Sequence, residues 1–281
     1  MTHKKFPICV SGSDKKTSLY TYILDDSPEI GIIDRPLILI LPGGGYFFTS
    51  DREAEMMALT FNSYGYHAAV LRYTCAPATY PTALCEVAKA YELIKTNSKK
   101  WHVNSDAIIV QGASAGGHLA LSYSCFYDDP MLNKVVSLTT SERKPAGTLL
   151  SYPVVTSGPK AHKGSFECLL GATYDALKGT ARLKDQSLET KVKKGMGPFF
   201  IWHCFDDETV PVENSLMLAT SLRKNNVPTE LHIFPNGGHG LGLCDERTGT
   251  KDGWGMYKSN AVWLDLAHTW LKENFPLNLT Y

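Results

Sequence analysis

No sign of charge predominates in this chain: lysine plus arginine total 28, as do aspartate plus glutamate, so no long-range field draws it to nucleic acid or to an anionic membrane. The pairs Lys15-Lys16, Lys99-Lys100 and Lys193-Lys194 read as solvated surface. Long apolar runs are missing too. No stretch is long enough to span a bilayer, and the opening Met1-Thr2-His3-Lys4-Lys5-Phe6-Pro7 lacks the apolar core of a signal peptide. The seven cysteines are scattered, odd in number and without C-x-x-C spacing. That usage fits reduced thiols in a cytoplasmic protein better than a disulfide framework or a zinc site. With no H-E-x-x-H either, the expectation is a cytoplasmic protein without metal or cofactor, whose partner is a small molecule rather than nucleic acid or membrane. Self-association is left open.

What is present is apolar material, 43% of 281 residues, enough to bury one large core. No linker divides it, so a single α/β domain over 1–281 is expected. Strand-like runs return at 18–24, 37–41, 67–73, 107–110, 148–152, 198–203 and 230–234. Helical patterns follow at 54–64, 81–96, from 118 onward, 213–224 and 256–272. Ser50-Asp51-Arg52-Glu53 has capping-box spacing ahead of the first helix; that explains Glu53, and a salt bridge at the helix start explains Arg52. Strands separated by helices imply crossovers, hence a mainly parallel sheet with helices on both faces. Residues 156–197 break this rhythm with glycines, mixed charge and short apolar pieces. They are expected to form either a small lid over a site or a crossover helix with long flanking loops.

The chemistry is concentrated in four places, each just after a strand-like run. Gly112-Ala113-Ser114-Ala115-Gly116 joins Ala107-Ile108-Ile109-Val110 to the helical His118-Leu119-Ala120-Leu121. A serine on such a strand-to-helix turn projects its hydroxyl into a pocket, and the flanking glycines let strand and helix approach. A serine hydroxyl is a poor nucleophile without a base and an acid to orient that base. His239, in Pro235-Asn236-Gly237-Gly238-His239-Gly240, supplies the base, and Asp206 and Asp207 compete for the acid. Finally, Leu37-Ile38-Leu39-Ile40-Leu41 runs into Pro42-Gly43-Gly44-Gly45-Tyr46, where glycines let backbone N–H groups face a developing oxyanion.

These residues resemble the esterase/lipase branch of the α/β hydrolases, whose triad follows the chain order Ser, Asp, His found here. Within that branch the chain resembles small bacterial acetyl esterases and acetylxylan-esterase-like carbohydrate esterases. The matching stretches are Leu41-Pro-Gly-Gly-Gly-Tyr46, Ser50-Asp-Arg-Glu-Ala-Glu55, Gly112-Ala-Ser-Ala-Gly-Gly-His-Leu-Ala120, Trp202-His203 through Val210-Pro211, and Gly238-His-Gly-Leu-Gly-Leu243. The resemblance implies the α/β-hydrolase fold and a Ser114, Asp207, His239 triad, since family spacing sets the acid three residues before Val210-Pro211. By match to the HGGG-type loop, with Pro42 in place of its histidine, Gly44 and Gly45 join Ala115 as oxyanion donors. Cys204 stands where a glycine is common.

The implied activity is hydrolysis of short-chain esters, such as acetyl groups on sugars or oligosaccharides. An amide hydrolase on the same scaffold, such as an arylformamidase or a prolyl-type peptidase, would use the same triad, and a non-catalytic binding protein is the alternative of another class. The remaining motif histidines read as structural: His118 as a hydrogen-bonding group in the elbow helix, His203 and His232 as packed or satisfied strand residues. Of Tyr46-Phe47-Phe48, at least one ring is expected in the core, and the others are candidates to wall the acyl side.

Overall fold

Strands β1 (Thr2–Pro7), β2 (Ser18–Ile23), β3 (Arg35–Leu41), β4 (His67–Arg72), β5 (Val103–Ala113), β6 (Gly147–Ser151), β7 (Phe199–Cys204) and β8 (Thr229–Phe234) form one sheet in the computed structural model, which describes residues 1–27 and 29–278. Their order is β1-β2-β4-β3-β5-β6-β7-β8. The first two pairings, β1 with β2 and β2 with β4, are antiparallel and all others are parallel. Strands β3, β6 and β7 are buried at every position, which is why they read as continuous apolar runs rather than as alternation. Strand β1 leaves no such imprint: its sequence is polar because it is an exposed edge.

Helices α1 (Glu55–Ser63), α2 (Thr82–Trp101), α3 (Ala115–Phe126), α4 (Lys163–Leu170), α5 (Tyr174–Leu177), α6 (Ala181–Lys184), α7 (Glu213–Lys224) and α8 (Trp263–Asn274) cover both faces. The two-residue period of β3 divides its side chains between them. Leu37, Leu39 and Leu41 belong to the apolar cluster that also holds Val87, Tyr91 and Ile94 of α2 and Leu218 and Leu222 of α7, whereas Ile38 and Ile40 belong to the one that holds Met57 and Phe61 of α1 and Trp263 and Trp270 of α8. This is the α/β-hydrolase architecture expected from the sequence. No described helix is long and apolar enough to cross a membrane.

Three local expectations need correction. Ser50 makes no side-chain cap; Asp51–Glu53 form a short 3-10 turn and Glu53 is buried, because its carboxylate is drawn inward by polar groups on other loops. Among the described residues Arg52 makes no salt bridge; it donates from Nε to the Thr248 carbonyl at 2.6 Å. The closing helix begins at Trp263, not near residue 256. The residues before it are held as turns, with Trp254 Nε1 donating to the His239 carbonyl at 3.0 Å and Asn260 Nδ2 to the Asn236 carbonyl at 2.7 Å.

Residues 156–197 fold as α4, α5 and α6 with a 3-10 turn at Leu188–Thr190. Phe166, Leu169, Leu183 and Leu188 bury into the same cluster as α2 and α3. Tyr174 donates its hydroxyl to the Ser157 carbonyl at 2.6 Å, and Asn214 Oδ1 accepts the N–H groups of Val155 and Thr156. The segment therefore packs on the sheet's own core.

Candidate active site

Ser114 stands between β5 and α3 with φ 53° and ψ −121°, a conformation L-residues rarely adopt. The glycines on either side have no room for a side chain: a Cβ on Gly112 would lie 2.1 Å from the Gly116 carbonyl oxygen, and one on Gly116 would lie 2.0 Å from that of Leu41. The turn is thus forced by close approach of α3 to β3 and β5.

His239 Nε2 lies 2.7 Å from Ser114 Oγ and its Nδ1 lies 2.6 Å from Asp207 Oδ2. Because the carboxylate only accepts, Nδ1 carries the proton and Nε2 is left to receive one from Ser114. Asp207 is buried, which alone would raise its pKa, but hydrogen bonds from His203, His239 and the Val210 N–H hold the carboxyl well below the usual carboxylate range. Of the competing acids, then, Asp207 is the one brought to His239. Asp206 accepts the N–H groups of Gly237 and Gly238 at 3.1 and 2.9 Å, and so braces the histidine loop. His203 is fully buried as expected, and its role is specific. Its Nδ1 faces Ser215 Oγ at 2.8 Å, while Nε2 donates to the Val210 carbonyl at 2.9 Å and reaches Asp207 Oδ2 at 3.2 Å.

Gly44 and Gly45 follow β3 with φ 123° and 65°. A Cβ on Gly44 would meet the Phe48 carbonyl oxygen at 2.2 Å, so the loop closes only around a glycine. The amides of Gly44, Gly45 and Ala115 donate to no acceptor among the described residues, and the last is an unpaired donor at the start of α3. Three struts hold this loop. Glu53 Oε2 accepts the Gly43 N–H at 2.8 Å, Tyr73 donates its hydroxyl to the Pro42 carbonyl at 2.7 Å, and Tyr46 donates its hydroxyl to His118 Nδ1 at 2.9 Å. His118 Nε2 in turn donates to the Gln186 carbonyl at 3.0 Å. Burial lowers the His118 pKa to about 4, so the ring is a neutral relay, in keeping with the structural role expected for it. His232 sits 2.6 Å from Glu230 and takes no part.

Sequence reasoning missed Tyr152 and His162. Tyr152, at the end of β6 with φ 38°, donates its hydroxyl to Glu53 Oε1 at 2.7 Å, accepts the Gly242 N–H at 2.9 Å and sets its ring against His239, centroids 5.1 Å apart. One side chain thus ties the oxyanion loop to the histidine loop. His162 comes from the 156–197 segment, with its Cε1 4.0 Å from the point where a Cβ on Gly45 would stand. Neither residue belongs to a motif, and no local pattern marks them. Of the three consecutive aromatics, Tyr46 is the buried one; Phe47 and Phe48 are exposed and line an open cleft of ≈ 740 Å³ with Tyr73, Cys75 and Pro77. No group of three or more His, Cys, Asp or Glu side chains that could hold a metal occurs among the described residues.

The arrangement has an activated hydroxyl, a base held in one tautomer, and free amide donors beside the hydroxyl, a set suited to acyl transfer. Comparison with known proteins agrees with that chemistry. The family model BD-FAE matches residues 27–222, a span that includes Gly44, Gly45, Ser114 and Asp207 and ends before His239. The chain is 34% identical over 233 residues to endo-1,4-beta-xylanase B of Butyrivibrio fibrisolvens, covering 82% of this chain and 35% of that protein. It is 24% identical over 246 residues to an acetylxylan esterase of Xylanibacter ruminicola, covering 86% and 47%. It therefore spans less than half the length of either relative. Among solved structures, an acetyl ester-xyloside bifunctional hydrolase from Caldicellulosiruptor lactoaceticus matches with a TM-score of 0.77 and 34% identity over 93% of this chain and 89% of that one.

Proposed function

Since the chain belongs to the BD-FAE family, we propose that it hydrolyses short-chain carboxylic esters, with acetyl esters of sugars or oligosaccharides as its substrates. The observation that carries this reading is the unbroken line Ser114, His239, Asp207, at 2.7 and 2.6 Å, beside amides without partners. His239 Nε2 takes the Ser114 proton as Oγ attacks the ester carbonyl. The oxyanion then meets the N–H groups of Gly44, Gly45 and Ala115, one such donor being worth ~3 kcal/mol. The C–O bond to the alcohol breaks as His239 returns the proton to the leaving oxygen, leaving an acyl group on Ser114. Water, deprotonated by the same imidazole, attacks that acyl group; the bond from the acyl carbon to Ser114 Oγ then breaks as His239 returns the proton to Oγ, which frees the acid and restores the serine. Asp207 keeps the Nδ1 proton in place and stabilises the imidazolium in both halves.

The sugar reading draws support from the names of two relatives, an acetylxylan esterase and an acetyl ester-xyloside bifunctional hydrolase. Exposed aromatic rings at the loops of the site, Phe47 and Phe48 after the oxyanion glycines and Trp254 against the histidine loop, offer faces to a ring-shaped alcohol. The same reading keeps the chain in the cytoplasm, as one domain, without metal or cofactor. Incubation with p-nitrophenyl acetate and with a fluorophosphonate probe tests it: turnover of the first and covalent labelling by the second are expected. A protein that does neither is not a serine esterase.

A further inference from the structure

We propose that His162 recognises the alcohol part of the substrate by a hydrogen bond to a hydroxyl group near the ester. The inference rests on the esterase reading above and goes beyond the triad, because His162 is delivered by the 156–197 segment rather than by any loop that carries the catalytic groups.

Its position comes first. His162 Cε1 and Ser165 Oγ both lie 4.0 Å from the place of a Cβ on Gly45, so the imidazole stands over the oxyanion loop. It is also near enough to His239 for the two rings to interact electrostatically. In acyl transfer the leaving oxygen must face the imidazole that protonates it while the carbonyl oxygen faces the amides. A side chain that stands near both His239 and Gly45 therefore borders the alcohol, not the far end of the acyl chain.

Its chemistry comes second. Nδ1 is joined to Ser165 Oγ at 2.7 Å, and Ser165 is 1% exposed with no other side-chain bond. This bond fixes the ring and leaves Nε2 as its one open polar atom, without a partner among the described residues and not sealed from solvent. When Ser165 donates to Nδ1, Nε2 carries the proton and donates outward; the reverse arrangement makes it an acceptor. Burial chiefly, with the nearness of the His239 ring and against the opposing pull of the Asp207 carboxylate, holds the His162 pKa below its ordinary value, so the group is a neutral imidazole. A neutral group able to donate or accept suits an uncharged hydroxyl. It is not a second base, since the Ser114 hydroxyl is already taken by His239.

The test compares two acetates with the same acyl group and differing only in alcohol hydroxyls, glyceryl monoacetate and propyl acetate, and reads the ratio of their kcat/KM values. Wild type is expected to favour the hydroxylated ester. His162→Phe, which keeps a flat ring without polar atoms, should lower that ratio about tenfold. His162→Gln, whose amide stands near the place of Nε2, should keep most of the preference. Ser165→Ala should shift the ratio in the same direction as His162→Phe, and carries the test if the latter fails to fold. A ratio unchanged in both His162→Phe and Ser165→Ala overturns the inference, as does an equal loss on both acetates in His162→Phe and His162→Gln, which would assign the ring to packing. Wild-type protein that turns over neither acetate overturns the esterase reading, and this inference with it; activity on both with an unmoved ratio overturns this inference alone.

Discussion

The carboxylate of Glu53 accepts the N–H of Gly43 at 2.8 Å through one oxygen and the hydroxyl of Tyr152 at 2.7 Å through the other. A residue that reads as a helix cap is thus a buried link between the oxyanion loop, the end of β6 and, through Tyr152, the histidine loop at Gly242. The contact is tight, since a Cβ on Gly43 would lie 2.6 Å from Glu53 Oε2. Replacing Glu53 by Gln sets an amide nitrogen against one of these donors and loosens the loop. The expected result is a fall in kcat of roughly 10 to 100-fold with KM changed much less, since the loop's amides act chiefly on the transition state. Steady-state kinetics on p-nitrophenyl acetate check this; a change confined to KM would refute the link to the oxyanion loop.

Ser114→Ala removes the hydroxyl that is hydrogen-bonded to His239 Nε2. Turnover should drop on the order of a million-fold while the melting temperature stays close to that of wild type. Retention of a tenth of the activity would mean another nucleophile. Wild-type turnover should also survive exhaustive dialysis against EDTA, and loss restored by a divalent ion would show a metal requirement.

The two adjacent acids should separate cleanly. Asp207→Asn puts the wrong tautomer on His239 and is expected to cost ~10⁴-fold in turnover. Asp206→Asn weakens only the bonds to the Gly237 and Gly238 amides and should cost far less. Equal losses, measured in parallel, would reverse the assignment of the acid.

Stability should depend on pH through buried neutral histidines. Burial lowers the pKa of both His118 and His67 to about 4. From about pH 6.5 down to 4 the unfolded chain binds protons that the folded chain refuses, so stability is full above this window and declines as pH falls through it. At pH 5 each histidine accounts for a loss of ~2 kcal/mol. Asp207 works in a lower window: with its carboxyl held well below the usual range, its contribution is present above about pH 4 and declines only as the medium becomes more acid. Melting temperatures from calorimetry should be level between about pH 7 and 8 and fall steadily below 6.5. A flat profile from pH 7 to 5 would show that these histidines are not desolvated.

By itself, the sequence determined the elements whose reasons are local. Apolar runs such as Leu37 to Leu41 are strands because both faces are covered, and glycines 112 and 116 mark a turn that tolerates no Cβ. Ser114, Asp207 and His239, with the glycines before Tyr46, are legible because each follows a strand within a motif. Strand β1 was not legible, since an exposed edge leaves no apolar pattern. Only the tertiary structure decided what Glu53, Tyr152, Asp206 and His162 do, for the groups they meet lie outside their own motifs and elements: Gly43 and Tyr152 for Glu53, Gly242 for Tyr152, Gly237 and Gly238 for Asp206, Gly45 for His162. A capping-box spacing and an inward-turned carboxylate look the same in one dimension. The difference is made by which donors the fold brings to a buried oxygen, because a buried carboxylate settles where its lone pairs are met.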